Sequence, residues 1–317
     1  MAVFTNISKN ELELFVKDYD IGNLLSFEGI LEGIENTNYK ILTSKNIYIL
    51  TIFEKRTEQS ELPFFINLQE HLVKKKFLCP KPVEDKNGKI INTLKGKSCV
   101  IISYLMGEKI KKVTEDHCKQ VGNIMSLFHL NTKDFKKVRS NKLSYDEWHK
   151  IYLKCLSVNS SKFKDCIEII KIELSFLNKN WPSSLPVGII HGDVFQDNVF
   201  FKNDIFSGLI DFYFSCNDFL SYDIALMVNA WCFDEKNIFN QSKFKILIQG
   251  YEKNRLLTKK EVDYLSILLR GASLRILLTR IHDQLFHEKG AFIKPKNPEE
   301  YFNILRFHQK NNVKDYL

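Results

Sequence analysis

Two aspartates and an asparagine in the middle of the chain have the types and spacing to do chemistry. They fall in Gly188-Ile-Ile-His191-Gly-Asp193-Val-Phe-Gln-Asp-Asn198-Val-Phe-Phe201 and in Gly208-Leu-Ile-Asp211-Phe212-Tyr213. Four residues separate Asp193 from Asn198, and Asp211 opens an Asp-Phe pair after the next apolar run. Phosphoryl transfer from a magnesium-bound nucleotide wants such a trio. One carboxylate accepts the proton of the attacking hydroxyl, while an amide and a second carboxylate hold the metal that neutralises the phosphates. On this reading Asp193 is the base and Asn198 and Asp211 are the metal ligands. His191 orients the loop rather than moving a proton. A turn merely rich in Asp and Asn explains any one of these residues, but not all of them at this spacing.

For three such side chains to converge, strands must end where they stand. Residues 188–190, 199–201 and 208–210 read as short apolar strands, joined by the polar loop and by a turn at 202–207. Upstream, a helix over 5–19 starts at Ser8, with Glu11 as its capping-box partner. A strand–turn–strand follows over 24–39. Its polar tip, with Glu32, Gly33 and Asn36, can close over phosphates through backbone N–H groups. A strand over 47–56 brings Lys55 to its end, a helix spans 60–75, and strands cover 89–94 and 98–105. Ser103, Tyr104 and Leu105 then form a connection whose backbone groups would hold a base between apolar walls. Beyond it the pattern is helical: 114–130, 145–156, 166–177, 220–233, 243–251 and a long helix over 259–286. His129 is expected to be packed, and Asp223 to cap N–H groups or brace the loop.

The long helix carries Arg270, Arg275 and Arg280, three of only seven arginines in a chain that otherwise uses Lys. The planar guanidinium fork matches a carboxylate or a phosphate, which a Lys ammonium does not. Steps of five turn about 140° on a helix, so at most two of the three can face one ligand.

Bulk properties set the remaining limits. With 317 residues, 44% of them hydrophobic and 25 of them Phe, the chain can bury a core in two lobes. The net charge of +8 is spread over Lys among many Asn, Ile and Phe, without the Arg and aromatic clustering of a nucleic-acid face. Seven cysteines make no CxxC pair, and no signal-peptide pattern opens the chain, so reduced thiols and a cytoplasmic location are expected. No apolar run is long enough for a membrane span. The oligomeric state cannot be read from the residues.

The chain resembles the aminoglycoside-phosphotransferase-like branch of the protein-kinase fold, and within it the homoserine kinase family. The resemblance runs almost end to end: Met1-Ala-Val-Phe-Thr, Leu25-Ser-Phe-Glu-Gly-Ile, Glu32-Gly-Ile-Glu-Asn, Leu62-Pro-Phe-Phe, the loop from His191, Gly208-Leu-Ile-Asp-Phe-Tyr-Phe, Asn229-Ala-Trp-Cys-Phe and Arg270-Gly-Ala-Ser-Leu-Arg. It implies an α+β, two-lobed protein-kinase-like fold. A small antiparallel-sheet N-lobe over 1–106 would bind the nucleotide, and a larger, mainly helical C-lobe over 107–317 would carry the catalytic loop. It further implies ATP and Mg2+ as cofactors and L-homoserine as the acceptor, phosphorylated on its side-chain hydroxyl toward threonine. An arginine among Arg270, Arg275 and Arg280 would clamp the substrate carboxylate, with Trp231 nearby and Asp218 or Asp283 meeting the amino group. Two features depart from the kinase pattern. Thr51 stands where a phosphate-binding Lys belongs, leaving Lys55 or Arg56 to substitute, and the Glu that would orient it is Glu61 or Glu70. The alternatives are another acceptor on the same fold (an aminoglycoside, choline, methylthioribose or another amino alcohol) or a catalytically silent nucleotide-binding module.

Overall fold

Ser8 starts the first helix as the sequence predicts. In the computed structural model, which describes residues 4–30, 36–54, 58–158, 163–286 and 295–317, its hydroxyl accepts the N–H of Glu11 and the Glu11 carboxylate accepts the N–H of Ser8. Helix α1 (Lys9–Val16) then turns Leu12 and Val16, one helical turn apart, into a core with Ile7, Tyr39, Ile41, Leu50 and Ile101. That core lies on a five-stranded antiparallel sheet of order β1-β2-β3-β5-β4. Its strands are β1 (Leu24–Ile30), β2 (Thr37–Thr43), β3 (Ile47–Ile52), β4 (Asn92–Leu94) and β5 (Lys97–Ser103). In β2, Thr37, Tyr39, Ile41 and Thr43 are buried and the residues between them are not, which is the period-two signature of a half-covered strand. Helix α2 (Leu62–Lys74), with Pro63 in its first turn, buries Leu62, Phe65, Leu68 and Leu72.

The strand expected over 89–94 shrinks to Asn92–Leu94. The Asp85 carboxylate accepts the N–H groups of Asn87 and Lys89, and Gly88 takes a φ of +78°, so a side-chain-closed turn replaces the first half of the strand.

The chain divides into two compact units, Met1–Gly107 with Ser207–Tyr213, and Glu108–Phe206 with Phe214–Leu317. A single boundary after residue 106 omits the return of 207–213 to the first unit. The second unit is mostly helical: α3 (Glu115–Asn131), α4 (Tyr145–Ser157), α5 (Lys164–Asn180), α6 (Leu220–Trp231), α7 (Gln241–Glu252), α8 (Lys259–Leu285) and α9 (Glu299–Lys310). Every residue of α6 from Ser221 to Trp231 is buried, so this helix is the centre of the unit. Helices α3 and α7 cross at two glycines. A Cβ on Gly122 would meet the carbonyl oxygen of Leu247 at 2.1 Å, and one on Gly250 that of Lys119 at 2.2 Å.

Two small sheets frame the loop of interest. Strand β7 (Val187–Ile190) pairs antiparallel with β10 (Cys216–Phe219), while β6 (Glu108–Lys109), β8 (Val199–Lys202) and β9 (Ile205–Leu209) form a sheet of order β6-β8-β9. Among the described residues, no helix is long and apolar enough to cross a membrane.

Candidate active site

The loop between β7 and β8 is held from several directions, and most of the holding is done by backbone groups. Both carboxylate oxygens of Asp223, near the start of α6, accept from it: the N–H of His191 at 2.7 Å and the N–H of Gly192 at 2.9 Å. Gly192 has a φ of +77°, and a Cβ there would lie 2.9 Å from the carbonyl oxygen of Phe214, so only glycine suits the position. The Gly192 carbonyl accepts Arg275 Nη1 at 2.7 Å, and the Val194 carbonyl accepts the indole N–H of Trp231 at 2.8 Å. Gln196 donates to the carbonyl of Ala230.

Within this clamp, Asn198 Nδ2 donates to Asp193 twice, at 2.8 Å to Oδ2 and 2.9 Å to the carbonyl oxygen. Oδ1 of Asp193 accepts nothing from the described residues. Burial pushes the Asp193 carboxyl up to about 6, against the pull of Arg275. A carboxylate with one oxygen fixed and one open is arranged to receive a proton. His191 is buried, with its ring 6.1 Å from that of Phe128.

A buried polar chain stands behind Asp223. Its Oδ2 lies 3.1 Å from His129 Nε2, His129 Nδ1 lies 2.6 Å from the hydroxyl of Tyr251, and Arg255 joins Tyr251 to Glu261. Burial raises the pKa of Asp223, but the bonds from His129 and His191 outweigh it, and the carboxyl stays below its usual range. Both sequence expectations, a packed His129 and a bracing Asp223, describe this arrangement.

The three arginines of α8 separate by what they touch. Arg270 lays its fork on the buried carboxylate of Glu173, at 2.6 and 2.7 Å, and stacks 3.6 Å from the Phe176 ring centre. Arg280 donates to Asn297 and Glu300 and covers Tyr301. Both forks are therefore spent on the protein itself, which corrects their selection as substrate readers. Arg275 is 4% exposed, has no carboxylate partner among the described residues, and its Nε bonds to none of them. Trp231 is fully buried with its N–H on the loop, so it braces the loop rather than lining a substrate site.

Asp218, on β10, borders a cavity of about 260 Å3 whose walls include Tyr145, Trp148, Trp181 and Tyr222, with Asp146 at its edge. Asp283 lies beyond Arg275 on α8, 3.7 Å from its neighbour His282, and does not line that cavity.

In the first unit, Asp211 adopts a φ of +64°, a strained setting for a residue with a Cβ and common where function demands it. Thr51 donates to Asn38 Oδ1 at 2.7 Å and is buried, so it serves the sheet. Asn36 is buried with its Oδ1 accepting the N–H of Glu54, which makes it a brace between β2 and the end of β3. The N–H of Ser103 donates to the Lys81 carbonyl and that of Tyr104 to Ile47 at 3.4 Å, while Leu105 packs on Gly208. Glu32, Gly33, Lys55 and Arg56 lie outside the described residues.

Comparison with known proteins decides the family. Residues 26–257 match the phosphotransferase enzyme family. Homoserine kinase from Paramagnetospirillum magneticum is 45% identical over 98% of this chain and 97% of its own length. That from Agrobacterium fabrum is 43% identical over 100% and 98%. The chain belongs to the homoserine kinase family. Its fold is that of the aminoglycoside phosphotransferases: spectinomycin phosphotransferase, solved with ADP and spectinomycin, superposes with a TM-score of 0.70 over 98% of both chains at 12% identity. Amicoumacin kinase, solved with AMP-PNP and Ca2+, gives 0.70 over 98% and 94% at 15% identity. An aminopropanol kinase gives 0.62 over 95% and 94% at 14% identity. The homoserine kinase family is thus built on a protein-kinase-like fold, and its members are ATP-using phosphotransferases.

Proposed function

We propose that the protein transfers the γ-phosphoryl group of ATP to the side-chain hydroxyl of L-homoserine, with Asp193 as the base. The observation that carries the mechanism is the clamped loop, in which every neighbour of Asp193 is tied down and one carboxylate oxygen is left open. Fixing the base in advance removes reorganisation from the transition state. The raised pKa supports the same role, because a base poised closer to neutrality takes a proton more readily than an ordinary aspartate.

Magnesium fits the donor set. Asn198 spends both its amide N–H contacts on Asp193, so its carbonyl oxygen is the end left for a hard cation, and Asp211 is the second ligand that the Asp-Phe sequence pattern implies. A metal held by such ligands would supply neutralisation of the phosphate charge. Asn198 then has two tasks, orienting the base with its nitrogen and meeting the metal with its oxygen.

The test is ATP consumption by the purified protein across homoserine, homoserinol, serine, threonine and 3-aminopropanol, with products identified by mass. O-phospho-L-homoserine is the expected main product. Asp193→Asn should lower turnover by roughly 10²–10⁴-fold while ATP still binds. A preference for another acceptor would overturn the substrate, and an undiminished Asp193→Asn enzyme would remove Asp193 as the base.

A further inference from the structure

The second unit contains a half-buried carboxylate and a buried guanidinium that form no direct ion pair with each other. Asp218 accepts Asn141 Nδ2 at 2.6 Å and the N–H of Phe219 at 2.7 Å, and has no cationic partner among the described residues. Arg275 gives one N–H to the Gly192 carbonyl and has no anionic partner among them. Arg275 acts on Asp218 and on Asp193 only through space, without a direct ion pair, so the guanidinium and the Asp218 carboxylate are each placed to meet a ligand group of opposite sign.

Two paths in the chain tie these charges to one place. Gly271 and Arg275 are four apart on α8 and share a face, about 6 Å from one another. A Cβ on Gly271 would strike Trp181 at 2.3 Å and Trp148 at 2.8 Å, both walls of the cavity that Asp218 borders. Arg275 therefore stands one helical turn from those walls. Tyr222 also lines the cavity, and the next residue on α6, Asp223, holds His191 and Gly192. One helix thus contributes both to the cavity and to the support of the loop that carries Asp193.

Its lining describes the ligand. Tyr145 and Trp181 stack with ring centres 5.5 Å apart, and Trp148 meets Trp181 edge-on at 5.1 Å. Aromatic faces beside a carboxylate favour an ammonium group. Tyr222 is 2% exposed, and its hydroxyl has no hydrogen-bond partner among the described residues, although it can both donate and accept. A volume of about 260 Å3 is small and suits an amino acid rather than a sugar-sized acceptor.

We infer that Arg275 and Asp218, with the aromatic cavity between Tyr145, Trp148, Trp181 and Tyr222, form a zwitterion reader that selects an α-amino acid by both of its charges. The inference rests on the proposed reaction for the name of the amino acid and for the direction of its hydroxyl toward Asp193. Asp218 and the ring faces take the ammonium group, Arg275 takes the carboxylate, and the side-chain hydroxyl is directed to Asp193.

The test separates this inference from the reaction by using ligands that cannot be phosphorylated. L-2-aminobutyrate carries both charges, butyrate only the carboxylate and propylamine only the ammonium. By calorimetric titration, the wild type should bind L-2-aminobutyrate at least about tenfold more tightly than either of the others, since a hydrogen bond to a charged group is worth that or more. Asp218→Asn should lose about tenfold on L-2-aminobutyrate and nothing on butyrate. Arg275→Lys should lose on L-2-aminobutyrate and not on propylamine. Tyr222→Phe, which removes no bond within the described protein and should fold normally, should weaken L-2-aminobutyrate several-fold. The inference is overturned if wild type shows no binding of L-2-aminobutyrate, or if Asp218→Asn and Tyr222→Phe both bind it as wild type does. Zwitterion binding without homoserine turnover would sink the proposed reaction and leave this reader standing.

Discussion

Arg275 Nη1 donates to the carbonyl oxygen of Gly192 at 2.7 Å, so the guanidinium touches the residue immediately before Asp193. Arg270, five residues earlier on the same helix, spends its fork on Glu173 instead. Arg→Lys substitutions should separate the two. Arg275→Lys keeps the charge and loses the fork, and should cost about 1.5–3 kcal/mol of homoserine binding with ATP affinity unchanged. Arg270→Lys should leave the preference for homoserine over homoserinol intact and lower unfolding stability by about 1–3 kcal/mol, because buried Glu173 loses half of a bidentate pair. Steady-state kinetics with both acceptors, beside urea unfolding, reads both effects. The reverse pattern would exchange their roles.

Asp223→Asn should damage turnover and stability together. The amide offers one acceptor oxygen where the carboxylate supplies two, so the N–H of either His191 or Gly192 loses its partner. A buried donor left unmet costs about 1–3 kcal/mol, and the loop it releases carries Asp193, the proposed base. The fall should appear in kcat more than in KM for either substrate. A normal kcat in a destabilised Asp223→Asn enzyme would mean that the loop holds its shape without this residue.

His308 sets a limit on acid stability. It is buried, with Nε2 2.7 Å from Asn229 Oδ1, and Asn229 points its Nδ2 at Leu269 and Ser273, so the imidazole donates from Nε2 and is neutral. Burial, with Arg270 nearby, pulls its pKa from 6.5 to about 3. Between these values the unfolded chain binds a proton that the folded chain refuses. Stability therefore rises with pH across this window, and is lost as pH falls below 6.5 toward 3. Between pH 6.5 and 5 the loss is about 1.6 kcal/mol from this residue. His308→Gln, which keeps a donor and cannot titrate, should flatten the slope of unfolding free energy over that interval. An equal slope in both proteins would disprove the assignment.

Gly271→Ala should destabilise the protein although alanine is the better helix former by about 1 kcal/mol. The new methyl would sit 2.3 Å from Trp181, and overpacking of this kind costs about 1–3 kcal/mol. Thermal unfolding measures the outcome. A higher melting temperature would mean that the indole yields freely.

The geometry of the loop after β7 was legible because its contacts are made close to where its residues stand in sequence: Asp193, Asn198 and the bracing Asp223 need only a strand, a turn and a helix start. The arginines were not separable in the same way. Glu173, which claims Arg270, lies 97 residues away, and nothing in the helical spacing reveals that pairing. Trp231 and Asn36 misled for a similar reason, since an indole or an amide suited to a ligand is equally suited to a buried backbone group. Helix α9 went unforeseen although Tyr301, Ile304, Leu305 and His308 follow helical spacing, because the residue that precedes it, Pro298, offers no side-chain cap to announce a start. Strand β10 has only four residues, Cys216–Phe219, two of them polar, and is defined by its pairing with β7 alone.

The glycine crossing of α3 and α7 has a consequence for timescale. Tyr251 follows Gly250 directly, and His129 lies seven residues after Gly122 on the same side of α3, so the hydrogen bond between them is set by two backbones in contact. At the two glycines backbone meets backbone, so no rotamer change there can absorb a displacement. Side-chain motion at the crossing therefore does little to shift the helices that carry His129 and Tyr251. Only a collective slide of whole helices, on the microsecond scale or slower, can do so. Amides at this crossing should be among the last in the molecule to exchange with deuterium, and the loop that carries Asp193 inherits that stillness.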